Sequence, residues 1–285
     1  MTTEGHRTVG QVKEVTSLAN PLVKDIKALA LKKFRDQKHA FMAEGLKLVI
    51  DALDLGWSIK TLVFAKAGRG NAAVEKAAAR TVAAGGTVLE VSEKVLSAIT
   101  RRDNPQMVVG VFAQQFLPLK DIHAGPGDVW VALDRVRDPG NLGTVIRTVD
   151  AVGAKGVILV GETTDPFSVE TVRATMGSIF AVPVAKATPE AFLAWRKGFS
   201  GLVAGTHLKG AVDYRSVDFS KGPTLLLMGN EQQGLPDLLA QSCDKLLRIP
   251  QAGRADSLNL AVATAVMLFE IRRHALALAP EGGPT

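Results

Sequence analysis

Short unbroken apolar runs alternate along the chain with stretches in which apolar residues recur every three or four positions. The first pattern suits buried strands and the second amphipathic helices. Near the start, Asn20-Pro21 opens a helix, because asparagine caps helix N-termini and proline is tolerated at the first helical position. Leu22, Ile26, Leu29 and Ala30 form its apolar stripe. Residues 40–43 predict a short strand and 46–55 a helix stopped by Gly56. Residues 59–65 predict a strand, and 72–84 an alanine-rich helix ended by Gly85-Gly86. After a strand at 87–91, Ser92 caps a short helix, and 107–113 is another strand. Residues 117–127 carry Pro118, Gly125, Pro126 and Gly127 without periodicity and are expected to be an interdomain linker.

The alternation then restarts. Strands are expected at 129–133, 156–160, 202–204, 224–228 and 246–249, and helices at 142–152, 169–175, 189–196, 235–241 and 258–274. Apolar runs such as Val157-Ile158-Leu159-Val160 and Leu225-Leu226-Leu227-Met228 suit a parallel sheet covered on both faces. Both halves therefore read as α/β, with an N-terminal domain at 1–116 and a second domain at 128–285. The tail from Ala275 is expected to be loose.

Composition narrows the classes. Of 285 residues, 47% are apolar and 22% charged, an ordinary globular balance. No apolar run reaches transmembrane length, and residues 1–10 lack the apolar core of a secretory signal, so a cytoplasmic location is the simplest expectation. One cysteine, Cys243, excludes an internal disulfide and a cysteine metal cluster. The five histidines are scattered without metal-ligand spacing, and no metal is expected. Phosphate-binding P-loop, dinucleotide G-x-G-x-x-G and G-x-S-x-G motifs are absent in their required contexts.

The net charge of +6 is unevenly spread. Residues 24–38 hold six cations, Lys24, Lys27, Lys32, Lys33, Arg35 and Lys38, against Asp25 and Asp36. Such a helix face suits a polyphosphate partner, although a solvated surface helix has the same pattern.

Three polar, glycine-containing segments follow predicted strands, where open α/β sheets bind ligands. In the first, residues 134–148, a turn at Asp138-Pro139-Gly140-Asn141 leads into a helix that Asn141 can cap. Thr144, Arg147 and Thr148 cluster on one helix face, and Arg147 near a helix N-terminus makes an anion or hydroxyl site. In the second, 227–236, Gly229 directly follows a buried strand and would let a ligand approach the backbone. Glu231 beside it is open to a ligand, a partner subunit or local amides. In the third, 249–263, Ser257 is a candidate N-cap for a helix apolar enough to be buried, and Asn259 near its start must find partners.

Together the segments resemble the motifs of the SpoU (TrmH) family of the SPOUT RNA methyltransferases. Residues 134–148 fit D-x-V-x-D-P-x-N-x-G-x-x-x-R-T, 229–235 fit G-N-E-x-x-G-L, and 249–263 fit I-P-x-x-G-x-x-x-S-L-N-x-x-V-A. Gln251 stands where many members carry methionine. Residues 20–45 also resemble the small substrate-binding domain of ribosomal-RNA-modifying members. The resemblance implies an α/β catalytic domain with a parallel sheet and trefoil knot, a homodimer, and S-adenosylmethionine as cofactor. It implies transfer of a methyl group to a ribose 2′-hydroxyl in RNA, foremost ribosomal RNA. A transfer-RNA target, or a non-catalytic ribosome-assembly factor on the same scaffold, are the alternatives.

By the family pattern, backbone groups at Gly229, Ile249 and Leu258 hold the cofactor, Thr206 lies near it, and Ser257 and Asn259 shape the site floor. Asn141 and Arg147 match the target-nucleotide site. Arg147 serves there either as a base or, since a guanidinium stays protonated, as a phosphate and hydroxyl binder. Lys32, Lys33 and Arg35, with Arg135 of the first motif, are the cations expected to meet RNA.

Overall fold

A computed structural model describes residues 10–103, 106–207, 211–254 and 256–278. The readings of residues 1–9 and of the end of the tail lie outside them. In chain order the elements are β1 (Gln11–Val15), α1 (Pro21–Ala28), α2 (Lys32–Lys38), β2 (Ala40–Glu44), α3 (Leu46–Asp54), β3 (Ile59–Ala65), α4 (Ala72–Ala83), β4 (Thr87–Val91), α5 (Glu93–Thr100) and β5 (Val108–Ala113). They continue with β6 (Val129–Asp134), α6 (Pro139–Ala151), β7 (Gly156–Val160), α7 (Val169–Thr175), β8 (Val184–Ala187), α8 (Pro189–Arg196), β9 (Leu202–Thr206), β10 (Val212–Asp213), β11 (Thr224–Met228), α9 (Asp237–Ala240), β12 (Lys245–Arg248) and α10 (Leu260–Arg272).

The chain forms two compact units. The first holds Met1–Gln115 together with Asp165–Ala181, and the second Phe116–Thr164 with Val182–Thr285. The sequence pattern assigns 165–181 to the second domain instead. Its side chains explain the difference. Phe167 and Phe180 join Phe41, Trp57 and Phe112 in one aromatic cluster, with ring centroids 4.6 Å apart for Phe41 and Phe167. Trp57 Nε1 also donates to the Phe180 carbonyl at 2.8 Å.

The first unit carries a five-stranded mixed sheet in the order β1-β4-β3-β5-β2, in which β5 runs antiparallel to both β3 and β2. The stretch 24–38 is two helices rather than one. Asn20 caps α1, accepting from Leu22 N at 2.9 Å. The chain then turns through residues 29–31, and α2 starts after an extended Leu31. Arg35 faces inward. Its guanidinium pairs with Asp165 at 2.8 Å and donates to the Leu29 carbonyl at 2.8 Å. The two side chains of the pair are only 4% and 5% exposed, so Arg35 is not an RNA contact. Lys32 and Lys33 are exposed, as expected. Lys38 pairs with Asp25 at 2.8 Å.

The second unit carries a seven-stranded sheet, order β10-β12-β9-β11-β6-β7-β8, and every pairing is parallel. The central strands β6, β7 and β11 are mainly apolar because both faces are covered, and they are buried along their whole length. Residues 117–127 are no loose linker. Leu117 N donates to the Val184 carbonyl, and Ile122 is buried in a cluster that also receives Leu117, Leu119 and Ala124. Glycine and proline punctuate this stretch without freeing it.

α10 is not buried all round. Val262 and Phe269 are half exposed, and Val266 between them is partly so, which makes an outward apolar stripe spaced i, i+4, i+7.

Candidate active site

The carboxyl ends of β12, β9, β11 and β6 lie side by side, in register Leu247↔Thr206, Leu227↔Gly205 and Met228↔Leu133. The loops leaving β6, β11 and β12 are the three motif segments. Topology thus gathers at one sheet edge residues up to 118 positions apart.

A relay of side-chain amides joins them. Asn259, not Ser257, caps α10: its Oδ1 accepts from Ala261 N at 2.9 Å and Val262 N at 3.3 Å. Its Nδ2 therefore points away, and donates to Asn141 Oδ1 at 2.9 Å. That bond turns Asn141 Nδ2 towards Glu231 Oε1, 3.4 Å away. Each amide's orientation follows from the partner before it. The Glu231 carboxylate also accepts from Arg137 N and from Asn230 Nδ2, both at 3.4 Å. Asn141 does not cap α6, since Asp138 does, accepting from Asn141 N at 2.6 Å. Asn259 is exposed rather than buried, so it is not forced to pair but is shared between a cap and this relay.

The first two loops are locked together around Arg135. Its backbone is left-handed, φ 46°, a conformation that persists only where neighbours impose it. Asn230 Nδ2 donates to its carbonyl at 2.8 Å. Its guanidinium donates to Asp134 through Nε at 3.0 Å and Nη2 at 2.9 Å, and to Gln233 Oε1 at 3.0 Å. The hydrogen bond to Asp134 raises the Arg135 pKa above the ordinary arginine value. This guanidinium is already engaged, so Arg135 acts first as an internal clamp. Sequence reasoning alone does not single out Asn230 and Gln233. A signal for Asn230 exists, because asparagine stabilises tight turns through its own side chain, and its Oδ1 accepts here from Gln232 N and Gln233 N.

Gly229 is needed for a reason other than ligand approach. A Cβ there would stand 2.2 Å from Leu235 N and 2.3 Å from the Gly234 carbonyl carbon. The loop folds back on it, closed by reciprocal Asn230–Gly234 backbone bonds of 3.0 and 2.9 Å. Gly229→Ala is therefore expected to force this loop open, at a cost of about 1–3 kcal/mol, and to weaken cofactor binding as a consequence. Urea denaturation and calorimetry on one preparation check both effects. Unchanged stability would contradict the packing argument.

Arg147 is exposed on α6 and makes no hydrogen bond or ion pair among the described residues. Thr148, its neighbour, commits its hydroxyl to the Thr144 carbonyl at 2.9 Å. Thr206 at the end of β9 donates to Met228 Sδ at 3.6 Å. Ser257 and Leu258 are exposed, and Ile249 is partly so. Residues 250–254 and 256–258 make no backbone hydrogen bond among the described residues, which leaves amides and carbonyls beside the sheet edge for a polar ligand. Cys243 is no nucleophile: burial pushes its thiol up to about 12. Among the described residues no group of three or more histidine, cysteine or acidic side chains could hold a metal.

Comparison with known proteins agrees with this architecture. Residues 128–269 match the model of the SpoU rRNA Methylase family, and residues 20–110 that of the MRM3-like substrate binding domain. A 23S rRNA (guanosine(2553)-2′-O)-methyltransferase of Bacillus subtilis is 32% identical over 92% of this chain and 100% of its own length. A 23S rRNA (uridine(2479)-2′-O)-methyltransferase of Streptomyces viridochromogenes is 31% identical over 84% of each chain. The crystal structure of an AdoMet-bound rRNA methyltransferase from Sinorhizobium meliloti is 66% identical, with a TM-score of 0.89 over 93% of this chain and 99% of that one.

Proposed function

The chain belongs to the SpoU rRNA methylase family, and on that premise we propose that it methylates a ribose 2′-hydroxyl of ribosomal RNA with S-adenosylmethionine. The observation that carries this reading is the joining of the three motif loops, through Asn259, Asn141 and Glu231, at one edge of the sheet. The two relatives are named for different nucleotides, a guanosine in one and a uridine in the other.

S-adenosylmethionine, when bound, supplies a methyl group already activated on a sulfonium. The residues present fit it: the backbone of 250–254 and 256–258, which makes no backbone hydrogen bond among the described residues, Thr206 at the end of β9 and the Gly229-Asn230 turn after β11 offer the donors and acceptors that an adenosine and an amino acid need. Ile249, Leu258 and Gly229 contribute backbone there, Thr206 a hydroxyl, and Ser257 and Asn259 the floor. What remains for the protein is alignment, which can contribute roughly 7–11 kcal/mol to such a transfer. Arg147, exposed and unengaged, holds the RNA phosphate beside the target ribose and donates to its 2′-oxygen. Planar, always charged and rich in donors, it binds and polarises rather than removing a proton.

The apolar stripe Val262, Val266 and Phe269 on α10 supports a homodimer, the second copy covering side chains that water otherwise meets. A trefoil knot in the second unit and a cytoplasmic location complete the proposal. In keeping with that location, no helix among the described residues is long and apolar enough to cross a membrane.

The first unit is proposed to bind RNA through Lys32 and Lys33. Reversing both charges is expected to weaken RNA binding and to reduce the salt slope by roughly 0.7–0.9 for each phosphate that is no longer neutralised. Cofactor affinity should stay as it is. RNA affinity at several salt concentrations checks this, and coincident slopes would move the RNA surface elsewhere.

The overall proposal is tested by incubating the protein and labelled S-adenosylmethionine with deproteinised ribosomal RNA and, separately, with transfer RNA. Label should enter ribosomal RNA. Label in transfer RNA alone would redirect the substrate, and label in neither would favour an assembly factor.

A further inference from the structure

We propose that Arg101, Arg102 and Arg173 form a phosphodiester-binding site on the first unit, which takes a backbone phosphate of the RNA substrate. Resting on the reading of ribosomal RNA as that substrate, the site adds a foothold that none of the three motif loops supplies. Arg101 and Arg102 directly follow α5, and Arg173 lies in α7, all within the first unit. Arg102 and Arg173 meet at Glu44, the last residue of β2.

The Glu44 side chain is only 5% exposed. Arg173 holds it with a fork, donating from Nη2 to Oε1 at 2.7 Å and from Nε to Oε2 at 3.2 Å. The same Nη2 donates to the Thr100 carbonyl at 3.1 Å, at the C-terminal end of α5. The buried carboxylate thus already has its counter-charge. Arg102 nevertheless stands against it as well, with Nε 3.5 Å from Oε2. Arg101 is exposed, and its side chain makes no hydrogen bond or ion pair among the described residues. Asp103, next in the chain, pairs with none of the three arginines. Three guanidinium groups therefore gather at one carboxylate.

Like charges gathered at a surface repel, and the carbonyls ending α5 offset only part of that repulsion. An anion from outside offsets the rest. Glu44 fixes one edge of each guanidinium and leaves donors over. Arg173 Nη1 and both Nη groups of Arg102 make no hydrogen bond among the described residues, and the two side chains are 32% and 38% exposed. Free planar donors on arginines already held in place match the oxygens of a phosphodiester. The backbone of Arg101 points the same way. It is left-handed, φ 55°, at a helix end where glycine is the usual residue. A cation kept there against backbone preference is a charge that the surface uses. RNA offers a phosphate at every nucleotide and so meets this chemistry repeatedly. Free inorganic phosphate shares the chemistry, and the experiment separates the two.

The test compares wild type with two double variants. Arg101→Gln with Arg102→Gln leaves the Arg173–Glu44 pair in place. Lys76→Gln with Lys94→Gln removes the same charge from exposed positions on α4 and α5 of the same unit. Affinity for deproteinised ribosomal RNA is measured at several salt concentrations, with urea midpoints, and with calorimetry of S-adenosylmethionine and of inorganic phosphate. The arginine variant should bind RNA about tenfold more weakly, the usual worth of a charge-assisted contact, and lose roughly 0.7–0.9 of salt slope for each phosphate released. The lysine variant should stay within about twofold of wild type, because screened surface charges contribute little at a distance. Midpoints and cofactor affinity should hold in both. Equal losses in the two variants would reflect net charge alone and overturn the site. So would wild-type RNA affinity in the arginine variant. Loss of inorganic phosphate binding with RNA affinity unchanged would assign the arginines to the free anion and overturn the RNA site too. Wild type that binds ribosomal RNA through these arginines without methylating it would overturn the reaction itself, and so separates that failure from this one.

Discussion

Arg147→Ala is expected to lower methyl transfer by about 100-fold or more while leaving the fold and cofactor affinity nearly unchanged. The side chain is exposed and makes no polar bond among the described residues, so its removal creates no cavity and strands no partner. The whole effect therefore falls on the substrate. Arg147→Lys should recover little, because lysine keeps the charge but not the planar fork that spans a phosphate and a hydroxyl together. Single-turnover rates and calorimetry separate the two effects. Wild-type turnover in Arg147→Ala would remove the residue from the site.

The largest expected effect on stability lies in the first unit. Arg35→Ala leaves the Asp165 carboxylate buried without its counter-charge, and removes a donor from the Leu29 carbonyl. Breaking a buried ion pair from one side costs about 3–5 kcal/mol. A variant lacking both partners, Arg35→Met with Asp165→Leu, should recover only part of this. Asp165 also accepts from Phe167 N at 2.9 Å, and its carbonyl accepts from the Thr171 hydroxyl at 3.1 Å, so it organises the start of α7 as well. Urea midpoints check the series, with Lys32→Glu as the exposed control that should scarcely move. An Arg35→Ala midpoint equal to wild type would contradict the burial of this pair.

The same residue shows how far the sequence can be read. Continuous charge over 24–38 suggests one solvated helix, and nothing in Leu29-Ala30-Leu31 announces a break. The inward turn of Arg35 depends on Asp165, 130 positions away, and no local pattern encodes that partner. The strands are most legible where burial on both faces leaves an almost unbroken apolar run, as in β7 and β11. β1 escapes such a reading because four of its five residues are exposed, which is how an edge strand is written. β8 escapes it because it is short and carries Lys186.

Within the site the motifs locate the right loops but misplace duties inside them. Ser257 and Asn141 are both good cap residues by type, yet Asn259 and Asp138 do the capping. Only the partners across the sheet edge decide between such neighbours. Asn259 can cap and still reach Asn141 because its amide has an oxygen and a nitrogen to divide, and a serine hydroxyl at that place would not extend the relay. Gly229 is legible as indispensable, but the backbone it accommodates is the protein's own.

The central claim is that this chain places a methyl group on a ribose oxygen of ribosomal RNA. Mass spectrometry of nucleosides from ribosomal RNA, treated with the protein and deuterium-labelled S-adenosylmethionine, tests it most directly. The account predicts label on one 2′-O-methylated nucleoside, absent when Arg147→Ala replaces wild type. Label carried on a base, or none on ribose, would contradict it.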